Sequence, residues 1–172
     1  MNIIIFGAPG AGKGTQSNLL VKNFSLRKIS TGDLLRKEIL NNSDLGKKIK
    51  DLIENGRLVS DEIILNLIET IFLNHKKNFN FVFDGFPRTL KQANILEKKL
   101  QNNNKQVNFV INLKVTRDEI IKRISGRVFC TKCNNIFNEH FNPPKNSSHK
   151  CGDMYLKKRI DDTEKVVKRR YD

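Results

Sequence analysis

A glycine-rich turn near the start of the chain constrains the fold more than any other feature. Gly7 to Thr15 reads GAPGAGKGT and follows an apolar run, Ile3 to Phe6. A helical pattern begins directly after it, so the predicted order is strand, turn, helix. Glycine permits backbone conformations that a β-carbon forbids, so the N–H groups of such a turn can converge on an anion at the helix N-terminus. Lys13 adds a mobile positive charge, and we therefore expect this turn to bind phosphate.

The residue after Lys13 departs from the strict phosphate-loop pattern. Gly14 stands where serine or threonine is usual, and Thr15 comes one position later. A hydroxyl group directly after the lysine would ligate magnesium, and Gly14 has none. We therefore expect Mg²⁺ to be held mainly by phosphates, water and a carboxylate elsewhere in the chain.

Apolar runs alternate with helical patterns along the 172 residues. Further strands are predicted at 26–29, 81–83 and 107–113, with helices between them. This alternation favours an α/β fold with a parallel sheet. No apolar run approaches the roughly 18 residues of a membrane span. An odd cysteine count of three argues against a disulfide framework, so a cytoplasmic protein is expected.

Polar residues follow two of these predicted strands. Ser30 to Asp33 has the composition of a helix start, and Arg36 falls one turn later. Thr31 and Arg36 could form part of an anion site. Taken alone, Thr31 is better explained as a helix cap and Arg36 as a solvated charge.

A second polar stretch, Asp84 to Thr89, follows the strand at 81–83. Ligands of parallel α/β sheets bind at the carboxyl ends of strands, where Asp84 lies. Gly85 lets a ligand approach the backbone, and Arg88 offers a planar fork suited to phosphate. Gln92, one turn farther on, could read the edge of a base.

Three cysteines lie in a segment of different composition between Arg123 and Arg159. Cys130 and Cys133 form a C-x-x-C pair, and Cys151 follows later, a spacing similar to that of a small zinc ribbon. The candidates for the fourth ligand are, in order of preference, Asp153, His149 and His140. The alternative is three thiols that hold no metal.

Basic residues are abundant throughout the chain, and the formal net charge is +14. They are spread along the sequence rather than gathered in one tract, which favours biased composition over nucleic-acid binding. Arg159 and Arg170 lie near the end of the chain, where a continuous helix would place both on one face. Such a row of arginines would neutralise phosphate charge.

Together these stretches resemble the adenylate kinase family. The resemblance rests on the following segments, which cover nearly the whole chain: Gly7 to Thr15, Ser30 to Asp33 with Arg36, Asp84 to Thr89 with Gln92, Gly126-Arg127, and Arg159 to Asp162 with Arg170. The segment from Arg123 to Arg159 resembles the long metal-binding lid of many bacterial members.

The resemblance implies a P-loop core with helices on both faces of a parallel sheet, in three layers. The core would comprise residues 1–29, 60–121 and 161–172. A helical AMP-binding insert would comprise 30–59, and a small zinc-ribbon-like lid 122–160. The activity implied is reversible phosphoryl transfer from Mg-ATP to AMP, giving ADP, by a monomer that engages neither nucleic acid nor membrane.

Roles for single residues also follow from the resemblance. The residues that would wrap the ATP phosphates are Gly10, Ala11, Gly12, Lys13, Gly14 and Thr15. Arg123 would lie on the ATP adenine, and Arg127 would contact ATP phosphates. Those that would hold AMP are Thr31, Arg36, Arg57, Gly85, Arg88 and Gln92. Arg159 and Arg170 would clamp the groups between donor and acceptor, and Asp84 would order Mg²⁺ through water.

Two alternatives to this function remain open. One is a kinase for another nucleoside monophosphate, because base choice rests on few contacts. The other is a basic zinc-ribbon protein that binds nucleic acid, which would leave the phosphate loop and Asp84 to Arg88 without a role.

The chain stops at Tyr171-Asp172, whereas members of the family continue with another strand and a closing helix. The sequence is therefore expected to be a fragment or an unusually short member. A missing strand would leave a sheet edge unpaired, so we expect low stability and weak activity of the 172-residue chain.

Overall fold

The computed structural model describes residues 1–73, 80–133, 135–145, 149–163 and 166. Its larger sheet contains four strands: β1 Ile3–Gly7, β2 Arg27–Ser30, β3 Phe81–Asp84 and β4 Phe109–Leu113. Their spatial order is β2-β3-β1-β4, and every neighbouring pair is parallel. The predicted parallel sheet is confirmed, and its carboxyl edge is formed by the ends of these strands.

Six helices accompany the strands in the described part of the chain: α1 Lys13–Phe24, α2 Thr31–Leu40, α3 Asp44–Glu54, α4 Asp61–Leu73, α5 Leu90–Gln101 and α6 Arg117–Ser125. Two of them begin after a polar cap, and the sequence predicted the first of these starts, at Ser30 to Asp33. The side chain of Ser30 accepts a hydrogen bond from the Asp33 N–H, and that of Thr89 accepts one from the Gln92 N–H. Each cap satisfies an N–H group that has no partner inside its helix.

Alternate residues of β3 face opposite layers of helices. Phe81 and Phe83 pack on Phe72 of α4, with the Phe72 and Phe81 ring centres 5.2 Å apart. Val82 points to the other face, where it joins a buried cluster against which Leu20 and Val21 of α1 pack. Side chains of a strand alternate between faces, so both faces of this sheet are covered by helices, as predicted.

The edge strand β4 starts two residues later than the predicted strand at 107–113. Asn2, almost fully buried, donates its backbone N–H to the side chain of Asn108 at 2.7 Å. The Asn108 N–H in turn bonds to the Asn2 carbonyl oxygen at 2.9 Å. This reciprocal amide pair replaces regular ladder bonds, so the sheet pairing begins at Phe109.

A smaller antiparallel sheet is formed by β5 Arg127–Cys130, β6 Ile136–Asn138 and β7 Leu156–Lys157, in the order β6-β5-β7. A single 3₁₀ turn, Asp153–Tyr155, leads into β7. This arrangement agrees with the ribbon-like segment expected from the cysteine spacing.

The chain divides into two compact units. One contains Met1–Gly7, Gly12–Leu52 and Leu58–Leu113, and therefore the whole parallel sheet; the other contains Ala8–Ala11, Ile53–Arg57 and Lys114–Asp172, and therefore α6 and the smaller sheet. Among the described residues, no helix combines the length and apolar character that a bilayer crossing requires.

The helix expected to carry both Arg159 and Arg170 does not begin at Arg159. Residues 159–163 form turns, and the Asp162 N–H bonds to the Arg159 carbonyl oxygen at 3.1 Å. The argument from one continuous helix face is therefore wrong for Arg159. Arg170 lies outside the described residues.

Candidate functional site

The phosphate-loop lysine begins α1, directly after the turn that follows β1. Its Nζ donates to the carbonyl oxygen of Gly7 at 2.7 Å, which directs the side chain back over the turn. Gly12 caps the helix in a left-handed conformation, with a φ of 98°, and Gly14 and Thr15 lie in the first helical turn. No acidic residue lies in that turn, so its positive end is available to an anion.

Gly10, in the same turn, packs against α6. Its φ of 84° suits glycine, and a β-carbon there would lie 2.7 Å from the Ile124 side chain and 3.3 Å from that of Ile120. The neighbouring Ala11 is buried, and its carbonyl oxygen accepts a hydrogen bond from Arg123 at 3.2 Å. Two requirements, backbone conformation and close packing, therefore select glycine at position 10.

The carbonyl oxygen of Gly85 accepts hydrogen bonds from two of the predicted anion-binding side chains. Thr31 Oγ1 donates to it at 3.0 Å, and Arg88 Nε donates at 2.8 Å. Gly85 has a φ of 74°, and a β-carbon there would lie 3.0 Å from the Arg88 guanidinium. The turn after β3 thus gathers a hydroxyl and a guanidinium at the carboxyl edge of the sheet.

Arg36 lies in α2, as Thr31 does, and in the same unit. Its Nη2 donates to Asp33 Oδ1 at 2.7 Å, and a β-carbon on Gly32 would lie 2.9 Å from that nitrogen. Of the six residues predicted to hold AMP, Thr31, Gly85, Arg88 and Gln92 are linked by hydrogen bonds, whereas Arg36 bonds to Asp33. Arg57 is exposed and belongs to the other compact unit.

Asp84 ends β3 as a buried carboxylate, as the sequence predicted. Its Oδ2 lies 3.7 Å from the Nζ of Lys28, a β2 residue whose ammonium group also lies 3.2 Å from Asp33. Lys28 is therefore shared between a carboxylate at the sheet edge and the carboxylate that pairs with Arg36. Sequence reasoning gave Lys28 no role, and only the register that pairs β2 with β3 reveals it.

Gln92 is buried in the first turn of α5 and is bonded at both ends of its amide. Its Oε1 accepts from the Arg88 N–H at 2.7 Å, and its Nε2 donates to Asp61 Oδ1 at 2.6 Å. Sequence reasoning assigned Asp61 no role in the site. Its contact with Gln92 carries no signal in the sequence.

Arg127 and Arg123 of the second unit form ion pairs. Arg127 makes a two-pronged contact with Asp162, in which Nε lies 2.7 Å from Oδ2 and Nη2 bonds to the other carboxylate oxygen. Arg123 pairs with Glu119 one turn earlier in α6. Arg159 is partly buried. Asp162, which orients Arg127, is another residue that sequence reasoning left without a specific function.

The ligand atoms of three cysteines and one histidine converge within 4.8 Å of one another: Cys130, Cys133, His149 and Cys151. Asp153, the preferred fourth ligand, is exposed in the 3₁₀ turn and does not join them, which corrects that prediction in favour of His149. The 3₁₀ turn carries Asp153 away from the cysteines, whereas the Lys145 carbonyl oxygen accepts from the His149 N–H at 2.7 Å. His140 is exposed elsewhere in the second unit.

The chemistry of this cluster suits a divalent metal. His149 is buried, and its Nε2 has no hydrogen-bond partner among the residues that the structure describes. Burial raises the pKa of Cys130, but N–H groups of Cys133 and Lys132 and the His149 side chain outweigh it and lower that pKa to about 6. Burial and the neighbouring thiols raise the pKa of Cys151 to about 11. Three sulfur donors and one imidazole are a tetrahedral zinc-type set.

Comparison with known proteins agrees with the geometry. The family model described as "Adenylate kinase" matches residues 5–172. An adenylate kinase of Pelagibacter ubique is 48% identical over 172 residues, which is 100% of this chain and 81% of that protein. One from Elusimicrobium minutum is 48% identical, covering 99% of this chain and 79% of its own length.

A third relative is less similar. An adenylate kinase of Archaeoglobus fulgidus is 40% identical over 99% of this chain and 79% of its own length. The family match spans both compact units. The chain belongs to the adenylate kinase family.

Proposed function

We propose that the protein catalyses reversible phosphoryl transfer from Mg-ATP to AMP, giving two molecules of ADP. The observation that carries the proposal is the convergence of Thr31 and Arg88 on the Gly85 carbonyl oxygen, next to the strand that bears the phosphate loop. A donor loop on β1 and an acceptor site after β3 then share one sheet edge, where ligands of parallel sheets bind. Family membership supports the same reaction.

The acceptor site is proposed to hold the AMP phosphate by charge. Arg36 and Arg88 carry the guanidinium groups, and Thr31 adds a hydroxyl. Arg57 and Gly85 are proposed to complete the contacts to AMP, with Gln92 at the base. Because the AMP phosphate is itself an anionic nucleophile, the reaction requires no side chain as general base.

The donor site is proposed to hold ATP by its phosphates and its base. The proposed phosphate ligands are Gly10, Ala11, Gly12, Lys13, Gly14 and Thr15, together with Arg127. Arg123 is proposed to lie on the adenine. Arg159 and Arg170 are proposed to neutralise the transferred group, because the charge that develops on its oxygens must be balanced in the transition state.

Magnesium bound with ATP would supply positive charge between its phosphates. Asp84 is the proposed anchor for that ion, through water, because a buried carboxylate at the carboxyl end of β3 offers oxygen ligands of the kind that Mg²⁺ prefers. Gly14 provides no hydroxyl group at the position after the lysine, so the proposal assigns this role to a carboxylate, that of Asp84.

Residues 30–59 and 122–160 are proposed to act as AMP-binding part and lid on a core of 1–29, 60–121 and 161–172. Closure of the lid would exclude water and so suppress hydrolysis of ATP. We propose that Cys130, Cys133, Cys151 and His149 hold a structural Zn²⁺ that stabilises the small sheet of the lid. The enzyme is proposed to act as a cytoplasmic monomer in nucleotide homeostasis.

Product analysis tests the reaction directly. The protein is mixed with Mg-ATP and, in separate reactions, with AMP, GMP, CMP or UMP, and nucleotides are separated and quantified. ADP formed from AMP and lost in Lys13→Ala is expected. Turnover of another monophosphate in preference to AMP would replace the proposed substrate, and no turnover of any monophosphate would contradict the proposed function.

A further inference from the structure

The side-chain amide of Gln92 is held in one of its two orientations. Its oxygen accepts from the Arg88 backbone N–H at 2.7 Å, and its nitrogen donates to a carboxylate oxygen of Asp61 at 2.6 Å. Only 4% of Gln92 is exposed, so water cannot readily replace either partner. A backbone N–H can only donate and an ionised carboxylate can only accept, so the partners determine which end of the amide is which.

A rotation of this amide by half a turn would be costly. It would set the Gln92 NH₂ against the Arg88 N–H and the Gln92 carbonyl oxygen against the Asp61 carboxylate. Both hydrogen bonds would be lost, and like groups would face each other in a buried place. The flipped state is therefore strongly disfavoured while Asp61 is ionised.

Asp61 is itself fixed in position. Its second carboxylate oxygen accepts from the Thr89 hydroxyl group at 2.8 Å, and the Thr89 oxygen accepts from the Gln92 N–H at 3.2 Å. Asp61 also begins α4, where the positive end of the helix favours a negative charge. Asp61, Thr89 and Gln92 thus form a closed ring of hydrogen bonds between the starts of α4 and α5.

The fixed amide offers a defined pattern to a base. After its two internal bonds, Gln92 retains one N–H donor and one acceptor lone pair. Adenine presents an amino donor at C6 next to an acceptor at N1. It therefore pairs with an amide whose oxygen faces the amino group and whose N–H faces N1. Hypoxanthine and guanine present an acceptor at C6 next to an N1–H donor, so they match only the flipped amide.

We propose that Asp61 is a positioning residue that sets the orientation of Gln92 and thereby makes the acceptor site select 6-aminopurine over 6-oxopurine nucleotides. The inference rests on the proposed function, in which Gln92 contacts the base of AMP. It adds the residue that enforces base choice, which acts without touching the nucleotide.

The test compares AMP with IMP, which differs from AMP by exchange of the amino group for an oxo group. Steady-state kcat/KM is measured for both acceptors with Mg-ATP in the unmodified protein and in Asp61→Asn. Asp61→Asn supplies a side-chain amide that can donate to a flipped Gln92 as well as accept from the original one. The flip then loses one hydrogen bond, the one from the Arg88 N–H, in place of two. The AMP-to-IMP ratio of kcat/KM is expected to fall at least about tenfold, since a site built on hydrogen bonds discriminates by roughly 10⁴.

Glu62→Gln is the matched control. It removes the same charge from the same turn of α4, at an exposed position next in sequence to Asp61. The ratio in this variant is expected to equal that of the unmodified protein. If Asp61→Asn does not fold, Asp61→Ala is the second variant. Its side chain has no acceptor, and the same fall in the AMP-to-IMP ratio of kcat/KM is expected.

An unchanged AMP-to-IMP ratio of kcat/KM in a folded Asp61 variant would overturn the inference, even if both values of kcat/KM fell. A purely structural role would lower kcat/KM for both nucleotides by the same factor. If the ratio falls as far in Glu62→Gln as in Asp61→Asn, the inference is also overturned. The effect would then come from the loss of negative charge in the first turn of α4. No turnover of either nucleotide by the unmodified protein would instead overturn the proposed function, and this inference with it.

Discussion

The Nζ of Lys28 lies 3.7 Å from a carboxylate oxygen of Asp84, and the side chains are 18% and 11% exposed. The register of β2 and β3 places Lys28 opposite Val82, and Ser30 opposite Asp84. The same ammonium group lies 3.2 Å from Asp33, which pairs with Arg36. One lysine thus connects the proposed magnesium anchor to the proposed AMP site.

Removal of the Lys28 charge is expected to lower both stability and activity. Lys28→Met keeps the length of the side chain but leaves the buried Asp84 carboxylate without this cation, at a cost of about 1–3 kcal/mol. Calorimetry should show a lower Tm, and the Mg²⁺ concentration needed for half-maximal rate should change. Lys28→Arg keeps the positive charge and is the control. If Lys28→Met has the same Tm and the same Mg²⁺ dependence as the unmodified protein, the role of Lys28 beside Asp84 is contradicted.

Arg88→Ala is expected to lower kcat/KM for AMP by about 10²–10³-fold, the loss seen when one charge-stabilising donor is removed from a transition state. The fold should be little affected, because Arg88 is exposed and Thr31 still bonds to the Gly85 carbonyl oxygen. Steady-state rates and a thermal melt of the same sample separate the two effects. A near-normal rate would refute the role of Arg88.

The parallel sheet and its helices could be predicted because the responsible signals are local. Short apolar runs mark β1 and β3. The polar stretch from Ser30 to Asp33 marks the start of α2, because a helix cap depends only on the next few residues. The start of β4 was misplaced because Asn2 and Asn108, far apart in sequence, exchange hydrogen bonds there.

The parts of the site that sequence reasoning missed all depend on pairings across the fold. Asp61 meets Gln92 only because α4 and α5 start side by side, and Lys28 meets Asp84 only through the strand register. The choice between Asp153 and His149 depends on a turn that the cysteine spacing does not specify. Spacing identified the three sulfur donors but could not determine which neighbouring side chain folds back toward them.

Gly10→Ala is expected to destabilise the protein for two separable reasons. The φ of 84° costs an L-residue about 1–2 kcal/mol. The new β-carbon would also lie 2.7 Å from Ile124, so the α6 side chain must move. Chemical denaturation gives the loss in unfolding free energy, and the rate with ATP should fall with it.

Gly152→Ala gives a variant with backbone strain and no new contact. Its φ is 88°, and nothing lies within 4 Å of the added β-carbon. A Gly10 variant as stable as the unmodified protein would contradict both reasons given for glycine at position 10.

The metal content of purified variants tests the proposed lid ligands. One Zn²⁺ per chain is expected by elemental analysis, and it should be lost in Cys130→Ser and strongly reduced in His149→Ala, because a structural tetrahedral site needs all four ligands. Asp153→Asn should retain the metal, since that side chain stands outside the cluster. Chelation should lower the Tm of the unmodified protein, because the metal contributes folding free energy to a small sheet with little core. Retention of metal in His149→Ala together with its loss in Asp153→Asn would restore Asp153 as the ligand and contradict the arrangement described above.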